Sequence, residues 1–117
     1  MVTLAVVFPI LPGKQEAWRR FYQKLLGSRR YEYEESRKRL GITKELAWFH
    51  HAQRAYQGDE AIIYLEVERP ERLAQQLLTS EHPFDRWFRQ QLLELYGLDL
   101  AHSLVCQLNE LVFVWQQ

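Results

Sequence analysis

At 117 residues the chain has room for one hydrophobic core, and so for a single domain over residues 1–117. Its 47% apolar and 26% charged residues are the balance of a globular protein, which excludes a disordered or collagen-like chain. Fifteen basic residues are matched by fifteen acidic ones, so no net field draws it to nucleic acid or to an anionic membrane surface.

Val2 to Phe8 is a short apolar run rich in β-branched residues, stopped by Pro9 and by Pro12-Gly13, and it reads as a buried strand. Beyond Lys14, the residues Trp18, Phe21, Tyr22, Leu25 and Leu26 recur at the spacing of one helical face. The pattern carries on to Leu40, where Gly41 supplies a left-handed stop, so one long helix is predicted, with Gly27-Ser28 as a place where it could bend into a new register. Ile42 to Gln53 and Glu60 to Glu68 are β-rich, and Tyr56-Gln57-Gly58-Asp59 between them has the residues of a hairpin connection. Pro70 opens a short helix through Leu73, Leu77 and Leu78; Pro83 opens another in which Phe84, Trp87, Phe88, Leu92 and Leu95 keep helical spacing as far as Gly97. Cys106 to Trp115 is predicted as a final strand. The resulting order is βαββαβ, with the second helix in two pieces. That is the α+β, ferredoxin-like arrangement of a four-stranded antiparallel sheet with helices on one face.

Side chains alternate along a strand, so Leu4, Val6 and Phe8 share one face while Ala5 and Val7 share the other. Neither face is polar. The third strand repeats this, with Ala61, Ile63, Leu65 and Val67 against Ile62 and Tyr64, and so does the last, with Val112 and Val114 against Leu111, Phe113 and Trp115. An antiparallel sheet with one wet face alternates apolar and polar instead. Helices cover one face only, so the other calls for a partner, and a homodimer packed sheet on sheet is the simplest closed solution.

The element order, the two-faced strands and the segment Ser80-Glu81-His82-Pro83-Phe84-Asp85-Arg86-Trp87 resemble the dimeric α/β-barrel superfamily. That group includes antibiotic-biosynthesis-type monooxygenases, muconolactone isomerases, haem-degrading enzymes and stress-responsive barrel proteins. The resemblance implies a dimeric α/β barrel that binds a small hydrophobic or aromatic molecule between sheet and helices. The haem-degrading branch carries an asparagine on the first strand; Thr3, Ala5 and Val7, and Leu4, Val6 and Phe8, stand there instead, which argues against haem.

Polar residues on apolar faces mark where a pocket would lie. Continued at 100° per residue, the first helix brings Arg29, Glu32, Tyr33 and Ser36 onto the stripe of Phe21, Tyr22 and Leu25. Trp48 and His50 share one face of the second strand and His51 the other, so the two histidines cannot hold one metal. His82 is explained by the helix entry, and His102 falls in a loop. No histidine spacing fits zinc, so no metal is assigned; no glycine-rich phosphate loop or GxSxG elbow is present, and no cofactor is expected. Cys106, the single cysteine, reads as a core residue, permits no intrachain disulfide and suits a cytoplasmic setting. The first residues lack the basic region of a secretory signal, and no apolar run reaches spanning length, so neither export nor membrane insertion is expected.

Two functions are compatible with this pattern. The first is a non-catalytic homodimer that binds a small molecule through Trp18, Tyr22, Tyr33, Ser36, Trp48 and Trp87. The second is a cofactor-independent monooxygenase or isomerase acting on a small aromatic or lactone-like substrate, with His50 or His51 as acid or base, Arg29 or Arg86 holding an anionic oxygen, and Glu32 beside them.

Overall fold

A computed structural model describes residues 2–54, 56–98 and 111–117. The chain enters as strand β1 (Val2–Pro9), and the turn after it leads into α1 (Gln15–Leu26) and α2 (Arg30–Leu40). A hairpin of β2 (Ile42–His50) and β3 (Glu60–Val67) follows, then α3 (Pro70–Thr79) and α4 (Pro83–Tyr96). The strands form one antiparallel sheet in the order β1-β3-β2, with Val6 opposite Ile63 and Ala47 opposite Ile63 across the central strand. Among the described residues no helix is long and apolar enough to cross a membrane.

The helices all pack on one face of the sheet. Trp18, Phe21 and Leu25 of α1 and Phe84, Phe88, Leu92 and Leu95 of α4 form one buried cluster with Ala61 and Ile63 of β3. Leu40, Ile42, Val67 and Leu73 form a second, smaller cluster at the other end. Helix boundaries follow local chemistry: prolines occupy the first turns of α3 and α4, where a missing N–H costs nothing. Gly41 and Gly97 end α2 and α4 with φ of 73° and 68°, a left-handed backbone that glycine adopts without a Cβ clash.

The long first helix of the sequence reading is two helices. The break falls at Gly27, where a Cβ would lie a tight 3.0 Å from the Gln23 carbonyl oxygen. Arg29 precedes α2 instead of lying mid-helix, and Leu26, expected on the buried stripe, is exposed at the end of α1.

The sheet has three strands among the described residues, not four. Residues 106–110 of the expected last strand, with Cys106, lie outside them, as does His102; residues 111–117 carry no strand, and Leu111, Val112, Phe113, Val114 and Trp115 are exposed. A strand makes its backbone hydrogen bonds only with a neighbouring strand, so an apolar β-type pattern is not by itself a strand. The outer edge of β1 carries no strand among the described residues.

The two faces of the sheet separate as alternation requires. Val6, Phe8, Ile63, Leu65, Ala47 and Phe49 point under the helices. On the opposite face the register sets Ala5, Tyr64 and Leu46 in one row and Val7, Ile62 and Trp48 in the next. Val7, Leu46 and Trp48 remain exposed there, Trp48 by 51%. Glu60 with His50, and Glu66 with Lys44, border these rows at the two ends.

Candidate functional site

Between the inner sheet face and α2, α3 and α4 lies a cavity of about 100 Å³. Val6, Phe8, Ile63 and Leu65 form its floor, Leu73, Ala74, Leu77, Phe88 and Leu92 its apolar walls, and Tyr22, Arg37, Glu45 and Tyr96 its polar end. A groove of about 430 Å³ between α1, α2 and the edge strand β2 shares Tyr22 and Glu45 with it, so those two side chains partition cavity from groove.

Glu45 reaches the inner face through a bulge. The register of β2 slips between Ile42 and Lys44, which lets both Ile42 and Glu45 face inward although they are three residues apart. Arg37, 8% exposed, comes from the buried face of α2, which also carries Ser36 and Leu40. Its Nη1 donates to Glu45 Oε1 at 3.0 Å, and Tyr33 Oη donates to the same oxygen at 2.6 Å. Arg37 Nη2 donates to Ser36 Oγ at 3.3 Å, and the Phe88 and Tyr33 rings lie 4.6 and 4.9 Å from the guanidinium carbon. Its Nε–H is buried and has no acceptor among the described residues.

Three tyrosines complete the polar end. Trp18 Nε1 donates to Tyr96 Oη at 2.7 Å, and the Tyr22 hydroxyl donates to the same oxygen. Burial, reinforced by Glu45, holds the Tyr22 and Tyr33 hydroxyls well above the usual tyrosine range. Burial also raises Tyr96, although the hydrogen bonds from Tyr22 and Trp18 act the other way. All three stay protonated near neutral pH; Tyr22 and Tyr33 donate, and Tyr96 accepts.

The residues singled out in the sequence divide among five places. Trp18, Tyr22, Tyr33 and Ser36 belong to the polar end or to its immediate support. Ser36 also donates to Asp85 Oδ1 at 2.5 Å, and Ser80 to Asp85 Oδ2 at 2.6 Å, while Arg39 Nη2 lies 3.2 Å from Oδ1. Burial pushes the Asp85 carboxyl up, but these donors outweigh it and hold it below the ordinary aspartate value. The Ser80-to-Trp87 segment thus ties α2 to the start of α4.

Arg29, Glu32 and Trp87 sit at the junction of α2 and α4, away from the cavity. Arg29 forms a two-pronged pair with Glu32 at 3.0 and 3.1 Å and lies over the Trp87 ring at 4.1 Å. That hydrogen-bonded pairing lowers the Glu32 carboxyl. Arg86 is exposed on α4. Trp48 and His50 lie on the helix-free face because their parity is opposite to that of Glu45, Ala47 and Phe49; His50 Nδ1 is 3.7 Å from Glu60. The His51 ring lies 4.5 Å from that of Phe49, tilted by 59°, and borders a shallow hollow at the hairpin end with Pro9 and Gly58. Among the described residues no histidine lines the cavity.

Arg37, Glu45 and Tyr96 were not singled out from the sequence. Stepping four residues from Tyr33, or three back from Leu40, reaches Arg37; the parity of Ala47 and Phe49 reaches Glu45. Among the described residues no three His, Cys, Asp or Glu side chains group as metal ligands. Comparisons with family models, curated proteins and solved structures find no match.

Proposed function

We propose that the protein is a small homodimeric binding module that takes a small, mainly apolar molecule between sheet and helices. The observation that carries this reading is the cavity, apolar on most sides and closed at one end by Arg37, Glu45 and the tyrosines. Binding sites typically combine an apolar body with a few placed polar groups. The described lining contains Arg37 but neither His50 nor His51, so the binding reading has more support than a monooxygenase or isomerase built on either of them.

For the dimer, the support is the helix-free face, whose Ala5, Val7, Leu46, Trp48, Ile62 and Tyr64 form an apolar centre with charged residues at both ends. Residues 111–115, exposed and apolar, are suited to the edge of β1 as a fourth strand, which would complete the ferredoxin-like sheet of a dimeric α/β barrel. The resemblance of the Ser80-to-Trp87 segment to that superfamily agrees with this assembly.

Titration of the ¹⁵N-labelled protein with cyclopentanone tests the cavity. Saturable shifts are expected at Val6, Leu65 and Ala74 in the wild type and not in Ala74→Leu, which fills the space. Shifts absent from the wild type, or unchanged in the variant, would refute the site. Light scattering should give twice the chain mass for the wild type and the single mass for Trp48→Lys; a wild-type monomer at micromolar concentration refutes the dimer.

A further inference from the structure

Two of the three nitrogens of the Arg37 guanidinium have an acceptor. Nη1 is held by Glu45, Nη2 by Ser36, and the rings of Phe88 and Tyr33 pack against the group. The third nitrogen, Nε, is buried without an acceptor among the described residues, on a side chain that lines the cavity. A buried donor left unmade is costly, and one on a cation more so. Among the described residues the site is therefore short of one hydrogen-bond acceptor.

The charge of that acceptor follows from Glu45. Its carboxylate already neutralises Arg37 at 3.0 Å and is itself only 9% exposed. A ligand carboxylate would share the same poorly solvated space with Glu45, and two carboxylates so placed cannot both ionise cheaply. A ligand ammonium would meet Arg37 with like charge and offer no acceptor. A neutral carbonyl oxygen satisfies Nε–H without either penalty. The size follows from the volume: about 100 Å³ is somewhat less than the ~150 Å³ engineered cavity that accommodates benzene in another protein.

Resting on the binding-module reading above, we infer that the ligand is a small neutral carbonyl compound, a ketone or lactone of about five ring atoms, whose oxygen accepts from Arg37 Nε–H while its hydrocarbon body packs against Leu65, Leu77 and Phe88.

Three probes of similar size separate the possibilities: cyclopentanone, methylenecyclopentane, which replaces the oxygen by CH₂ at constant shape, and cyclobutanecarboxylate. Affinities come from NMR titration, and the Arg37 Nε–Hε resonance is followed directly, so the result does not depend on a variant that fails to fold. Cyclopentanone should bind roughly tenfold more tightly than methylenecyclopentane and move the Arg37 Hε signal downfield. Cyclobutanecarboxylate should bind Glu45→Gln more tightly than the wild type. Equal affinity for ketone and alkene, with the Hε signal unmoved, overturns the assignment of the oxygen to Arg37 but leaves the cavity reading standing. Absence of binding by both ketone and alkene overturns the cavity reading itself, and this inference with it.

Discussion

In Asp85→Asn, a carboxylate that accepts from Ser36 at 2.5 Å, from Ser80 at 2.6 Å and from Arg39 at 3.2 Å becomes an amide of nearly the same shape. The two serines use different oxygens, and an amide nitrogen cannot accept, so one serine hydroxyl loses its partner whichever way the amide turns. Ser36 is fully buried and has no recourse to water. A hydrogen bond to a charged group contributes about 1.5–3 kcal/mol; with one lost and the other weakened, the cost is about 2–4 kcal/mol. Arg39, 35% exposed, adds less than about 1 kcal/mol. For a chain of 117 residues this corresponds to a Tm lower by roughly 10 °C, read by circular dichroism near neutral pH. The pH dependence has a definite sign. The folded-state pKa of Asp85 lies below its unfolded value, so the stabilisation is present above the ordinary aspartate pKa of about 3.9 and is lost as pH falls through the folded value. The gap between wild type and variant should therefore narrow in acid. A variant within about 2 °C of wild type near neutral pH, or a gap that widens in acid, would refute the account of how α2 is tied to α4.

Phe84→Ala removes a fully buried ring at the same junction and should cost about 3–5 kcal/mol in urea unfolding. Gly41→Ala places a Cβ on a backbone at φ 73° and should cost about 1–2 kcal/mol, although the nearest atom, of Glu68, is at an ordinary 3.6 Å; the loss comes from the backbone and not from crowding. His50→Gln changes an exposed side chain on the helix-free face, so cyclopentanone affinity in the NMR titration should be unchanged.

The order of elements from β1 to α4, apart from the split of the first helix, and most of their boundaries were legible in the sequence because their signals are local. Pro70 and Pro83 start helices, Gly41 and Gly97 end them, and period-two alternation marks β1 and β3 whatever they pack against. The same alternation, read without any partner in view, put apolar residues on both sheet faces, and the helices do lie on only one of them.

Tertiary structure decided the rest. The chain direction after the break at Gly27 moved Arg29 from the buried stripe to the Trp87 ring. A single bulge near Thr43 brought Glu45 inside together with Ile42, which no strict alternation allows, and so created the partner that lets Arg37 be buried. Which face of β2 lies under the helices removed Trp48 and His50 from the cavity. Periodicity reports which side chains share a face. What each face meets, and which buried charge finds its counterpart, is fixed only when distant segments pack.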